Sequence, residues 1–249
     1  MSSGGSSSPR TGVVVAVDGP SGSGKSSVSR AAARALGVAF LDTGAMYRAL
    51  TLAATRAGVD LADGSAVAAH VRGVALVVGT DPDAPTVALV EPDGRESDVT
   101  EAIRSAEVTA AVSAVASVPA VRADLLVRQR TLIEAACASP EAGRAPGVVA
   151  EGRDITTVVA PDADVRVLLT ADEAVRLARR AQQDLGSADA AALAATRRGV
   201  VERDALDSRT TAFRTAADGV VTLDSTHLDF DGTVAALLAV VRQETGEPS

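Results

Sequence analysis

The sequence predicts an α/β protein built on a parallel sheet with crossover helices. Three observations carry that reading. Short β-branched runs alternate with helical patterns toward both ends of the chain. A glycine follows each of the first two helical patterns, where a left-handed residue ends a helix most easily. Apolar residues make up 47 % of 249, enough for one substantial core and a small subdomain. Aromatics are only 2 %, so that core must be packed from Ala, Val and Leu.

The elements read in order as follows. Val13 to Val17 suits a strand buried on both faces. After a Gly/Ser loop, Lys25 to Leu36 reads as a helix stopped by Gly37. Val38 to Leu41 is a second strand and Gly44 to Arg56 a second helix, ended by Gly58. The middle breaks the rhythm. Val74 to Val78, Thr86 to Val90 and Gly94 to Val99 read as short strands joined by Asp81-Pro82-Asp83 and Glu91-Pro92-Asp93-Gly94, which suits a small antiparallel insert. Helices over Glu101 to Ser117 and Val121 to Ala138 follow, divided by Pro119, and Ser139 to Pro146 is a loop. Alternation then resumes with strands Val148 to Ala150 and Val165 to Leu169, and helices Asp172 to Leu185 and Ala188 to Ala205. Strand Val220 to Leu223 and helix Gly232 to Arg242 close the chain, and no internal repeat interrupts it.

Composition narrows the function classes. A net charge of -8 argues against a general nucleic-acid binder, although a few arginines in one cleft can still hold a small anion. The single cysteine, Cys137, excludes an intramolecular disulfide and fits a reducing compartment. No apolar run reaches the roughly 18 residues a membrane span needs, so no membrane partner is expected. The Ser/Gly-rich opening reads as a disordered tail over residues 1 to 11, not as a targeting peptide. A cytoplasmic monomer is the expectation. His70 and His227 have no ligand spacing around them, and no structural metal is expected.

Gly19-Pro20-Ser21-Gly22-Ser23-Gly24-Lys25-Ser26 fits the G-x-x-x-x-G-K-S pattern, with an apolar strand before it and a helix after it. Glycines let backbone N–H groups curl around phosphates, and the helix N-terminus adds partial positive charge. Lys25 can sit on the outer phosphates, and the Ser26 hydroxyl can ligate Mg²⁺. Lys25 is also the only lysine against 23 arginines. A slim point charge stands at the one place where a planar fork would not fit. A P-loop holding a nucleoside triphosphate is the reading.

Arginines far from this loop suggest a second anion. Asp42-Thr43-Gly44-Ala45-Met46-Tyr47-Arg48 and Glu151-Gly152-Arg153-Asp154 each follow a strand, at the carboxyl edge where open α/β sheets bind ligands. Asp42 or Thr43 can also serve as a helix N-cap there. Arg176, Arg179 and Arg180 share a helix face, and Arg197, Arg198, Arg203, Asp207 and Arg209 continue the basic stretch. The chain has no asparagine, hence no Asn-Lys-x-Asp guanine reader.

Together these segments resemble the bacterial cytidylate kinase family, from Val13 to Arg242. The resemblance rests on Asp18-Gly19-Pro20-Ser21-Gly22, Leu41-Asp42-Thr43-Gly44-Ala45-Met46-Tyr47-Arg48, Gly152-Arg153-Asp154 and Glu202-Arg203-Asp204. It implies a P-loop core over residues 12–58 and 146–249, with a short Arg-rich lid at about 176–209. Residues 59–145 would form a monophosphate-binding region carrying the β insert near 73–99. By the same resemblance, Gly19 to Ser27 would hold ATP with Mg²⁺, and no cofactor would be permanently bound. Thr43 would lie in the CMP site, and Arg48, Arg153 and Arg209 would meet the phosphate of CMP or dCMP. Tyr47 would pack near the cytosine ring. Ser113, Arg122 and Asp154 would read the base, and Arg203 with Asp207 the sugar. Lys25, Arg153, Arg179 and Arg180 would stabilise the transferring group. The segment Asp207-Ser208-Arg209-Thr210-Thr211 is shorter than the family pattern and lacks its proline, leaving Arg209 as the nearby candidate. At this level two rivals stay open: a small P-loop kinase with another acceptor, such as shikimate, and an ATP-responsive switch.

Overall fold

The computed structural model describes residues 12–141, 143–197 and 215–246. The predicted fold class is the one observed. Five parallel strands form the central sheet: β1 (Val13–Asp18), β2 (Ala39–Asp42), β6 (Gly147–Gly152), β7 (Val165–Thr170) and β8 (Val221–Asp224), in the order β2-β6-β1-β7-β8. β1 is the central strand, and Val14 to Val17 are fully buried. Their side chains alternate between two apolar layers, as a period of two requires. Val14 and Ala16 pack with Leu41, Met46, Leu50, Leu125 and Ile133, while Val15 and Val17 pack with Val28, Ala32, Phe40, Leu237 and Val241.

The first layer is covered by α2 (Thr43–Arg56), α3 (Gly64–Arg72) and α5 (Pro119–Ala138), the second by α1 (Lys25–Leu36) and the C-terminal helix Phe230–Thr245. β3 (Ala75–Val78), β4 (Val87–Val90) and β5 (Glu96–Asp98) form a separate antiparallel sheet. Val87 and Leu89 of β4 bury against Ala49 of α2. Among the described residues no single helix is long and apolar enough to cross a membrane.

Three departures from the sequence reading bear on the site. Helix α3 was not expected; the Asp63 side chain starts it by accepting from the N–H groups of Ser65 and Ala66. The single helix expected over 101–117 is broken, because Ser105 caps a new one. A short 3₁₀ turn, Ala102–Arg104, precedes α4 (Ala106–Ala116), where Ser105 Oγ accepts from Val108 N–H at 3.3 Å. Strand β6 extends through Glu151 and Gly152, so both lie at its buried carboxyl end. The helix expected over 188–205 is helical at 190–197, and the rest of it lies outside the described residues, as does the tail 1–11.

Candidate active site

The P-loop occupies the turn between β1 and α1, and its shape depends on two positive-φ glycines, Gly22 (φ 77°) and Gly24 (φ 89°). Gly22 has no room for a side chain: a Cβ there would sit 2.4 Å from the Arg176 carbonyl. That carbonyl belongs to α6 (Glu173–Leu185), which is fastened to the loop by two arginines. Arg176 Nη1 donates to Ser21 O at 2.8 Å, and Arg179 Nη1 to Ser23 O at 3.3 Å. Holding those carbonyls toward α6 leaves the opposite, N–H-bearing face of the loop for an anion.

A single continuous cleft runs from this loop to the far arginines. Of the expected ATP residues, Ser21, Gly22, Gly24, Lys25, Ser26 and Ser27 line it, while Gly19, Pro20 and Ser23 do not. All the expected CMP residues within the described chain line it too: Thr43, Tyr47, Arg48, Ser113, Arg122, Arg153 and Asp154. Arg203, Asp207 and Arg209, with the lid residues from 198 on, lie outside the described residues. Thr43 also ties α2 to β6, its hydroxyl donating to Glu151 O at 2.7 Å. Arg153 Nη1 donates to Gly19 O at 3.1 Å, which joins the Gly-Arg-Asp segment to the base of the P-loop.

Arg179 is placed differently from its neighbour Arg180. It is not among the residues lining the cleft; its guanidinium donates to Ser23 O, Ser225 Oγ, Ser225 O and Leu228 O. It clamps the P-loop to the chain after β8, and its neighbour Arg180 faces the cleft. Arg179→Ala should strand several carbonyls and cost about 1–3 kcal/mol, a drop of a few degrees in Tm. Arg180→Ala should instead lower turnover with Tm unchanged. The reverse pattern in thermal unfolding and assay would return the catalytic role to Arg179.

Two cleft residues went unassigned in the sequence. Arg104, at the end of the 3₁₀ turn, joins Arg48, Arg153 and Arg180 in the cleft. Burial first, and the Arg180 charge next, push the Arg48 guanidinium below its ordinary value, with Arg104 adding to the effect. Arg48 is held by donating to Thr109 Oγ1 at 2.9 Å and Ile103 O at 3.3 Å. Like charges crowded this way are destabilising, and an anion entering the cleft would relieve the repulsion.

Glu151 is the second. It is 2 % exposed; its Oε1 accepts from Ser26 Oγ at 2.7 Å, and Lys25 Nζ lies 3.9 Å from Oε2, which has no hydrogen-bond partner. Burial, then the neighbouring Asp42 carboxylate, push Glu151 up to about 7, against the lowering influence of Lys25 and Ser26. Two hard oxygen donors, Ser26 Oγ and an unsatisfied carboxylate oxygen beside the P-loop lysine, fit Mg²⁺. The shift also sets a pH dependence. Between 4.5 and about 7 the folded state holds a proton that the unfolded chain has lost. Stability therefore falls as pH rises through that window. Glu151→Gln is neutral at every pH, so without nucleotide its Tm should exceed that of wild type at pH 8, with the gap shrinking at pH 5. Thermal unfolding at the two pH values checks this.

The far end of the cleft holds the residues expected at the base. Arg122 of α5 pairs with Asp154 through Nη2 and Oδ2, and Ser113, Val112 and Ala116 of α4 form the facing wall. Asp154 is pushed up by burial and pulled back by Arg122. Burial and the Asp154 charge raise the Tyr47 phenol to about 12, so it stays neutral. Asp154 is aimed by a residue of β1. Asp18, 3 % exposed, accepts from Ile155 N–H at 2.9 Å, Thr156 N–H at 2.8 Å and Thr156 Oγ1 at 2.6 Å. These bonds hold the π-helical turn Ile155–Val159 directly after Asp154.

A parallel sheet with a P-loop at one end of its cleft and an arginine-lined second anion site at the other defines a P-loop kinase that phosphorylates a nucleoside monophosphate. The family model for cytidylate kinase matches residues 15–243. The chain is 49 % identical over 235 residues to the cytidylate kinase of Rhodococcus opacus, covering 94 % of this chain and 96 % of that one. It is 45 % identical over 236 residues to that of Nocardia farcinica, with 94 % and 95 % covered. To that of Streptomyces griseus it is 42 % identical over 233 residues, with 93 % and 94 % covered. This chain belongs to the cytidylate kinase family.

Proposed function

We propose that the protein transfers the γ-phosphoryl group of ATP to CMP or dCMP, giving ADP and CDP or dCDP. The observation that carries this is the single cleft with Lys25 and Ser26 at one end and the Arg122–Asp154 pair at the other, bridged by Arg48, Arg104, Arg153 and Arg180. An anion site beyond the P-loop is what an acceptor monophosphate needs and what a nucleotide switch lacks. The base readers and the family relatives favour cytosine over a small metabolite such as shikimate.

Catalysis on this reading is positioning and charge stabilisation of an in-line transfer. Backbone N–H groups of the P-loop and Lys25 hold the ATP phosphates. Arg48, Arg104 and Arg153 fix the acceptor phosphate, and Arg180 meets charge on the transferring group. Ser26 and Glu151 would hold the Mg²⁺ that accompanies ATP and neutralises its outer phosphates. Arg203 and Asp207 at the sugar, and Arg209 at the phosphate, complete the set by resemblance. A monomer is the reading, and the buried thiol of Cys137 suits the cytoplasm.

A coupled assay for ADP tests the proposal. ADP should form with Mg²⁺, ATP and CMP or dCMP, and hardly at all without an acceptor. Release independent of CMP would favour a switch, and turnover restricted to another acceptor would overturn the cytosine assignment.

A further inference from the structure

The π-helical turn Ile155–Val159 is capped by a residue of another strand. Asp154 stands directly before the turn, where an aspartate normally accepts from the second or third N–H beyond itself. Asp42, Asp63 and Asp229 do this for their own helices. Asp154 makes no such bond. The first two N–H groups of its turn go instead to Asp18 at the end of β1, that of Ile155 to Oδ1 at 2.9 Å and that of Thr156 to Oδ2 at 2.8 Å. Asp18 is buried, and its Oδ2 also accepts from Thr156 Oγ1 at 2.6 Å, so both oxygens are committed to the turn. The Asp154 carboxylate is left to Arg122 and to the cleft that both residues line. Charge reinforces the arrangement. Burial pushes the Asp18 carboxyl above its ordinary value, the bonds from Thr156 and Ile155 pull it back, and the Asp154 charge adds to the rise. That repulsion is mutual, so Asp18 also keeps Asp154 from turning back onto the N–H groups.

We propose that Asp18 caps the turn in place of Asp154 and so keeps the Asp154 carboxylate available to the base, which makes Asp18 a positioning residue for the choice of cytosine over uracil. The inference rests on the base reading above, in which Asp154 accepts from the cytosine amino group. Two conformations compete for one carboxylate. In the first it faces the cleft beside Arg122; in the second it accepts from Thr156 N–H, as its place in the chain invites. A buried N–H without a partner is costly, so loss of the Asp18 bonds favours the second. A carboxylate turned onto the backbone no longer bonds the cytosine amino group and no longer opposes uracil O4. Discrimination then falls from both sides, which a general loosening of the fold does not do.

The test measures kcat/KM for CMP and UMP. Asp18→Asn keeps one acceptor oxygen but sets an amide donor against the second N–H, and should cut the CMP over UMP ratio about fivefold or more. Thr156→Val removes the hydroxyl bond alone and spares both N–H bonds, so its ratio should stay within about twofold of wild type. On an Asp154→Asn background, Asp18→Asn should narrow the ratio no further, because its effect travels through Asp154. Should Asp18→Asn fail to fold, Asp18→Ser, whose hydroxyl can serve one N–H without a buried charge, carries the same expectation. A wild-type ratio in a folded Asp18 variant, with CMP and UMP lowered alike, would overturn the proposal and leave Asp18 a structural cap. Equal narrowing in Thr156→Val would overturn it too, since both N–H bonds survive there, and so would further narrowing on the Asp154→Asn background. Equal use of CMP and UMP by wild type would remove the base reading itself, a distinct failure visible in the same assay.

Discussion

Lys25→Ala should lower kcat by roughly 10²–10³-fold or more, about 3–4 kcal/mol of transition-state stabilisation, while the protein stays folded. The loss follows from where charge gathers. The outer phosphates gain negative charge as the bond to the leaving ADP lengthens, and Lys25 is the P-loop's only cation. The fold should survive because of Glu151. Lys25 Nζ lies 3.9 Å from its Oε2 and is one of the influences holding that carboxylate's affinity for protons down. Once Lys25 is gone, Glu151 binds a proton and stays buried as a neutral group, which avoids an orphaned internal charge. Lys25→Arg should fail nearly as badly, since a bulkier planar fork does not fit a cradle in which Gly19 and Gly22 have no room for even a Cβ. Single-turnover rates, with Tm alongside, check both variants. Near-normal turnover in folded Lys25→Ala would sink the P-loop assignment.

What the sequence made legible was what chemistry ties to neighbouring residues. The P-loop, the strand ends carrying Asp42 and Arg153, and the antiparallel insert all follow from local patterns. The rest depends on distant contacts. Arg179 and Arg180 are adjacent on one helix, about 100° apart in direction, and no local rule says which faces the substrate. Contacts with Ser225 and Leu228, some 46 to 49 residues away, hold Arg179 where it lies. Arg104 was hidden because the helix break at Ser105, which turns it into the cleft, shows in sequence only as one more serine. Glu151 reads in sequence as part of a segment at the ligand-binding edge, with no role of its own. Its burial at the end of β6, with Asp42 beside it, is a product of sheet order that spacing does not reveal. Asp18 likewise enters the sequence reading only as the start of the Asp18-Gly19-Pro20-Ser21-Gly22 segment, yet it holds the turn after Asp154 from a neighbouring strand's end.

Base choice is the second large effect expected, with CMP favoured over UMP by roughly 30- to 1000-fold in kcat/KM. The magnitude comes from donor and acceptor matching in a buried wall. Ionised Asp154 can only accept and Arg122 can only donate, so the pair suits the N4 amino group and the N3 or O2 acceptors of cytosine. Uracil offers an oxygen at position 4 and an N–H at position 3, which sets two mismatches against it. Because Arg122 and Asp154 pair with each other before substrate arrives, the wall is preorganised, and a mismatched base finds no relaxed alternative. The carboxyl is raised above its ordinary value by burial, with Arg122 opposing. As pH falls toward that raised value Asp154 gains a proton and becomes a donor, one that uracil O4 can accept. The preference for CMP should therefore narrow on the acid side and stay constant above it. Asp154→Asn, which offers a donor and an acceptor at one site, should narrow it at every pH and flatten the profile. Measuring kcat/KM for CMP, dCMP and UMP across pH decides the matter. If Asp154→Asn lowered CMP and UMP equally and left the ratio and its pH profile as in wild type, Asp154 would be a structural partner of Arg122 and not a reader of the base.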